Sequence, residues 1–404
     1  MSNEQIEKTK GLPDNAYTEL KEGEEYQPVM SPYKAVPEVN LWSVSIGLLM
    51  AILFSAAAAY LGLKIGQVFE AAIPIAIIAV GLSTAFKRKG SLGENVIIQS
   101  IGASSGVIVA GAIFTLPALY ILGLNAEFYK VFLSSLIGGV LGILFLIPFR
   151  KYFVSDMHGK LPFPEATATT EVLISGEKGG SQAKLLVISM LIGGIYDFII
   201  ATFGWWSEVI TTRVTEIGTQ LAEKAKLVFK LNVGAAVMGL GYIIGLRYTA
   251  IIAAGSFLAW LVLIPIISYL AAGMTVPVGF NVTEVLSAMS AEEIFTNYIR
   301  PVGIGGIAMA GIIGIINSSN IIKKAFGLAA SELFKKDKSV VKEELRTRRD
   351  ISMKIIAIGT LVTIIAMFIF FYFGILNNLT QTIVAVLIVM IIAFLFTTVA
   401  ANAI

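Results

Sequence analysis

Polar residues inside or beside long apolar runs are costly, so each one is a candidate for function. Four groups of them mark this chain. The first is Tyr60-Leu-Gly-Leu-Lys64-Ile-Gly66-Gln67-Val-Phe-Glu70, followed by Pro74. Gly62 and Gly66 permit the backbone to break between two apolar stretches, which would leave main-chain groups beside a cation, an amide and a carboxylate. Lys64 and Gln67 are then substrate-binding candidates, and Glu70 is a carboxylate able to carry a proton. A short solvated turn between two spans is the alternative for the same residues.

The second group is Glu94-Asn95, Gln99, Ser100 and Gly102-Ala-Ser104-Ser105-Gly106. Gln99, Ser100 and Ser104 share one stretch of a helix surface. Gly102 and Gly106 form a small-residue packing face. Gln99, Ser104 and Ser105 are read as cavity-lining, substrate-binding candidates, with serine-bonded helix packing as the alternative. Glu94 is a second proton-coupling candidate. The third group is Leu161-Pro162-Phe163-Pro164-Glu165-Ala-Thr167-Ala-Thr169-Thr170-Glu171. Pro164 suits the first position of a helix, and Glu165 suits its positive dipole end. Pro164, Glu165, Thr167 and Glu171 are gating candidates on a re-entrant or hinged element; an ordinary capped loop helix is the bland reading. The fourth group is Asn297-Tyr298-Ile299-Arg300-Pro301-Val-Gly303-Ile-Gly305-Gly306, with Asn317, Ser318 and Asn320 beyond it. Its glycines permit close packing or local unwinding, and Asn317 joins the substrate-binding candidates. Asp197, in mid-span, is the third proton-coupling candidate. Arg247 is a cation for a carboxylate partner or an interfacial snorkel.

Several chemistries are excluded by what is missing. The chain has no cysteine and one histidine, His158, so thiolate sites and sites needing two histidines cannot form, and no resident metal or cofactor is expected. No G-x-x-x-x-G-K-[ST] or H-E-x-x-H run occurs, which removes ATP hydrolysis and zinc proteolysis. Tyr196-Asp197 has no G-x-G-D companion, so an aspartyl intramembrane protease lacks its second carboxylate. No filter-like run or charged pore ring marks a channel. Nothing in the charge pattern calls for nucleic acid.

The elements that position these residues follow from composition. Of 404 residues 56% are hydrophobic and 14% charged, with mean hydropathy +0.82. Soluble domains carry about 25% charged residues, so lipid is the expected solvent. Ten apolar runs of spanning length are predicted, at 41–63, 71–86, 97–124, 131–149, 185–204, 232–248, 250–272, 302–321, 353–376 and 379–401. The fold class is an all-α, polytopic transmembrane helical bundle with possible broken or re-entrant helices. Residues 1–40 form a polar cytoplasmic tail, expected to be mostly disordered and tied down near Tyr33–Pro37, and 41–404 the transmembrane domain. Lys and Arg concentrate in the loops at about 87–96, 150–184 and 322–352, on the side of the N-terminus, which makes that side the cytoplasm. Residues 205–231 mix Arg213, Lys224, Lys226 and Lys230 with Glu208, Glu216 and Glu223 behind Trp205-Trp206. This reads as an amphipathic interfacial helix or as a plain external loop.

The same groups carry a resemblance. Ala58-Ala59-Tyr60-Leu61-Gly62-Leu63-Lys64-Ile65-Gly66 with Ala72-Ile73-Pro74 resembles the oligopeptide transporter family, closest to its prokaryotic branch related to yellow stripe-like metal-chelate transporters. Glu94-Asn95 to Gly111-Ala-Ile-Phe-Thr115-Leu-Pro117-Ala118 is similar to its next block. Leu161-Pro162-Phe163-Pro164-Glu165-Ala166-Thr167-Ala168 resembles its L-P-[FY]-P-E-G-T-A signature, with Ala166 in place of glycine. Tyr298 to Gly311 resembles a later block. The resemblance implies uptake of small oligopeptides or peptide-like metal chelates, coupled to an ion gradient, most plausibly protons, by alternating access. It also implies further C-terminal helices beyond Ile404, so a shortened or split product, completed by a second chain or a homo-oligomer, is expected. A non-transporting membrane subunit on the same scaffold is the rival reading.

Overall fold

The computed structural model describes residues 12–403 apart from 22, 34–35, 66–67, 69–70, 89, 162, 178–180, 280–281, 315 and 317–345. Helices dominate because apolar main chain in lipid must satisfy its own hydrogen bonds. In chain order they are α1 (Leu41–Ile65), α2 (Ala72–Ala85), α3 (Leu92–Ile121), α4 (Phe128–Phe149), α5 (Pro164–Glu177), α6 (Ser181–Phe203), α7 (Glu216–Lys224), α8 (Ala235–Ile244), α9 (Leu246–Leu270), α10 (291–314), α11 (Met353–Leu376) and α12 (Leu379–Ala403). Strands β1 (Val209–Thr211) and β2 (Lys230–Asn232) form one antiparallel pair, with Ile210 opposite Leu231. The protein is an all-α membrane bundle. Among the described residues six helices are long and apolar enough to cross a bilayer: Leu41–Tyr60, Leu92–Ile121, Phe128–Phe149, Leu246–Leu270, Met353–Leu376 and Leu379–Thr397. Ala72–Ala85 and Ile188–Phe203 are apolar but shorter. Most apolar side chains on these helices face outward, Phe114 and Ile251 among them, as lipid permits.

The chain divides into two compact units, residues 1–187 with 314–404 and residues 188–313. In the first unit α1 and α3 run parallel, because Gly47 meets Ile101 and Gly62 meets Ile113. The short α2 returns antiparallel along α3, with Ile75 against Gly102 and Ser83 bonded to Asn95. These helices approach closely because small residues stand at the crossings. A Cβ at Gly102 would lie 2.8 Å from Ile75 Cδ1 and 3.2 Å from Met50 Cβ, so no larger residue fits without moving α1 or α2. Helix α5 lies on α2 through Leu173, Ala76 and Val80. Leu141, Met367 and Val386 join α4, α11 and α12.

The second unit has its core at Val228, Ile264, Met289, Ile294 and Ile299. The run predicted at 232–248 is shorter, ending at Ile244, and α9 starts beyond Gly245 with Arg247 in its first turn. The helix or loop expected at 205–231 is a β1–α7–β2 unit. The Thr215 hydroxyl accepts the Gly218 N–H and starts α7, and Lys226, with φ of 55°, turns the chain into β2. Glu292 holds this cap in place: its carboxylate takes Arg213 Nη2 at 2.7 Å and Lys230 Nζ at 2.9 Å. Burial alone would raise that carboxyl's pKa. The Lys230 hydrogen bond, a backbone hydrogen bond and the two positive charges outweigh it and hold the pKa below its ordinary value.

The Gly102 crossing yields a direct test. Gly102→Leu is expected to destabilise the bundle by about 1–3 kcal/mol through overpacking, seen as a lower melting temperature in detergent. Gly139→Ala, with no atom within 4 Å of its added Cβ, should leave melting unchanged.

Candidate functional site

The site is built around the break between α1 and α2. Helix α1 is helical through Ile65, and α2 starts again at Ala72. The first turn of α2 has no side-chain cap, and its N-cap position is Ala71, which has no polar atom to offer. The first N–H groups of a helix have no partner within it, and they carry the positive end of its dipole. Lys64 lies in the last turn of α1. Gln67 and Glu70 lie outside the described residues, as does Asn317.

The α2–α3 register brings Ser105 to this break. Ser83 pairs with Asn95 and Ile75 with Gly102, so stepping one further turn along the antiparallel pair sets Ser105 opposite Ala72. Ile98, Gly102 and Ser105 recur at i, i+4 and i+7, the stripe that α3 turns toward α2. Ser105 is 3% exposed, and among the described residues its hydroxyl has no hydrogen-bond partner. Other helical hydroxyls behave differently. Ser100 donates to Val96 O at 2.7 Å, Ser104 to Ile101 O at 2.7 Å, Thr115 to Gly111 O at 2.6 Å and Thr363 to Gly359 O at 2.7 Å. A hydroxyl in lipid satisfies itself on its own helix; Ser105 does not. Of the three cavity candidates, Ser105 is therefore the buried and unsatisfied one, Ser104 is outward-facing, and Gln99 is half-buried.

At the other end of the hairpin Glu94 and Asn95 are both buried and both satisfied. Glu94 accepts Arg88 Nε at 2.7 Å, Arg88 Nη2 at 2.6 Å and Asn40 Nδ2 at 2.6 Å. The Arg88 guanidinium lies 5.0 Å from the Trp42 ring centroid. Ser83 Oγ donates to Asn95 Oδ1 at 2.6 Å, and Asn95 Nδ2 donates to Ser91 Oγ at 3.3 Å. This network ties the start of α1, the α2–α3 turn and the start of α3 together. A fork-shaped guanidinium on a carboxylate fixes geometry as well as charge. Asn40, Trp42 and Arg88 were not picked out from the sequence. The signal available was a cation six residues before a carboxylate at the mouth of an apolar run.

The remaining candidates fall in different places. Asp197 Oδ1 accepts the Ala235 N–H at 2.7 Å, and Tyr196 Oη donates to Val233 O at 3.0 Å. Both residues of α6 thus serve the start of α8, Asp197 as its cap. Pro164 opens α5 with Glu165 in its first turn. Phe163 before it has φ of 37°, and Thr167 N bonds back to Phe163 O at 3.0 Å. Glu171, one to two turns on, accepts the Tyr17 hydroxyl. Among the described residues no group of three or more His, Asp or Glu could hold a metal ion.

Residues 38–404 match a family model described as OPT oligopeptide transporter protein. A protein of Haemophilus influenzae, provisionally named an oligopeptide transporter, is 31% identical over 260 residues. The alignment covers 63% of this chain, which spans 38% of that relative's length. No solved structure matches the chain.

The Arg88–Glu94 lock is tested by a mutant cycle. Glu94→Gln leaves Arg88 without its counter-ion and is expected to lower stability, by less than a fully buried pair would because the arginine is 35% exposed and screened by solvent. Arg88→Gln should cost a similar amount. The double variant should fall short of the sum by at least 1 kcal/mol, read by thermal denaturation.

Proposed function

The chain belongs to the oligopeptide transporter family, and from that premise we propose that it forms the membrane path of a carrier importing small oligopeptides or peptide-like metal chelates. It is a transporter, not an enzyme. The gradient that drives it is one of protons, and its mechanism is alternating access. It sits in the prokaryotic plasma membrane with the N-terminus and the Lys- and Arg-rich loops in the cytoplasm, consistent with the positive-inside rule.

One observation carries the reading: the unpartnered, buried Ser105 hydroxyl at the level of the uncapped start of α2. A substrate carboxylate there would receive the first N–H groups of α2 and the Ser105 hydroxyl together, and a helix N-terminus favours a negative charge. Lys64 at the end of α1, with Gln67 and Gln99, would add to the same subsite, and Asn317 is assigned to substrate as well. Glu70, Glu94 and Asp197 are the carboxylates assigned as candidates for the substrate's amine or a bound cation. The same three are the proton-coupling candidates. Each has a distinct consequence on protonation. At Asp197 it would weaken the cap on α8. At Glu94 it would release Arg88 and with it the clamp on the hairpin. Pro164, Glu165, Thr167 and Glu171 would gate, because α5 packs directly on α2 and moves with it or against it.

Proteoliposomes with an inward proton gradient test this. Labelled di- to tetrapeptides or ferric chelates should accumulate only with the gradient, and Asp197→Asn or Glu70→Gln should remove most of that accumulation. A coupling residue whose neutral variant still concentrates substrate drops out of the scheme. Ser105→Ala should raise KM about fivefold, the worth of one hydrogen bond, for peptides with a free C-terminus and leave KM unchanged for C-terminally amidated ones.

A further inference from the structure

The segment before α1 is fastened to the element that leads into α5. His158 Nε2 lies 2.7 Å from the Asn15 carbonyl oxygen, which can only accept, so that nitrogen donates. The Tyr26 ring sits 5.1 Å from the His158 ring. The Tyr17 hydroxyl donates to Glu171. Lys160 Nζ stands 4.0 Å from Glu19. Between these contacts the main chain of Thr18 and Glu19 lies directly on Gly159. A Cβ at Gly159 would be 2.3 Å from Thr18 C and 2.4 Å from Glu19 N, so a side chain there would displace the segment. Glu24 gathers the segment on itself by accepting Asn15 Nδ2 at 3.0 Å and the Lys21 N–H at 3.1 Å.

Two features separate this contact from ordinary packing. No described residue between 12 and 40 is buried, so the segment contributes nothing to any core. The element it grips is held without it. Phe149 and Phe153 are buried before the 157–161 turn with Leu161 and Phe163 packed on them, and Leu173 and Ile174 are buried after it. A strap that adds contacts without adding core can leave while the fold persists. What it supplies is restraint, applied at Glu171 and at the turn preceding Pro164, to a helix that lies on α2 through Leu173 and Val80. The contacts are polar and at least partly exposed. They are strong enough together to bias a two-state equilibrium and weak enough singly to be given up.

We propose that residues 12–33 form a detachable latch that inhibits transport by holding α5 against α2. Its release lets α5 and the start of α2 move. The proposal rests on the reading of the α2 start as part of the substrate path.

Tyr17→Phe and a cross-link test it on the full chain. Tyr17→Phe removes one hydroxyl from a half-exposed ring and spares the core. It should raise the peptide uptake rate about fivefold, the effect of one lost hydrogen bond. It should also speed amide hydrogen exchange in 164–177. Because the chain has no cysteine of its own, Thr18→Cys with Lys160→Cys can be joined selectively by a short dithiol-reactive cross-linker. The joined form should transport at a small fraction of the unlinked rate and recover on reduction. A Tyr17→Phe chain that melts normally but transports at or below the parent rate overturns the latch, as does a cross-linked chain that transports freely. If no form takes up peptide, the transport reading fails first and exchange decides the latch: unchanged exchange in 164–177 refutes it, and faster exchange upholds it.

Discussion

Lipid supplies no hydrogen bonds, and the whole structure is arranged around that shortage. Long helices satisfy their own main chain. Hydroxyls within them turn back on the preceding turn, as Ser100, Thr115 and Thr363 do. A carboxylate and an amide buried at the start of α3 are tolerable only because Arg88, Asn40, Ser83 and Ser91 complete them. Beside the break between α1 and α2 is one place where, among the described residues, this accounting does not close. An uncapped helix start and the unsatisfied Ser105 hydroxyl share a level there, in a region whose small residues exclude filler side chains. An unsatisfied buried polar group costs about 1–3 kcal/mol. A site that must repeatedly bind and release a polar ligand has a use for that cost, since the ligand removes it on arrival.

The close packing of α1, α2 and α3 gives the break its rigidity on one side. Gly47, Gly62 and Gly102 let the three helices approach until no Cβ fits between them. The Arg88–Glu94 pair then fixes the far end of the hairpin, stacked against Trp42. On the other side α2 borders α5 through Ala76, Val80 and Leu173, and the turn preceding α5 is gripped by a segment with no core of its own. In the proposed alternating access, α1–α3 would be the fixed wall and α5 the one that moves.

Much of this was legible before any coordinates. Spanning helices follow from apolar length, whereas Gly62, read as a place for the backbone to break, is helical and packed against Ile113. Pro164 at the head of α5 follows from its fixed φ and missing N–H. The pairings were not legible, because they join distant positions by geometry that periodicity does not encode. Tyr17 meets Glu171 across 154 residues and Asn15 meets His158 across 143. The tail, expected to be tied down only near Tyr33–Pro37, is also fastened through Asn15, Tyr17 and Tyr26. The 205–231 segment misled because its mixed charges look helical, while Thr215 and Lys226 confine the helix to nine residues. Ser104 and Ser105 are equivalent by type and neighbours. Only the α2–α3 register separates the outward-facing, self-bonded hydroxyl from the buried, unpaired one.

The central claim is that Ser105 and the start of α2 meet the substrate. Because the chain has no cysteine, a thiol introduced by Ser105→Cys would be the only one present, and its alkylation rate can be followed in proteoliposomes. The account predicts alkylation that a free peptide slows strongly and its C-terminally amidated counterpart does not. Alkylation indifferent to peptide, or none from either side of the membrane, would show Ser105 to be a buried packing hydroxyl and contradict the account.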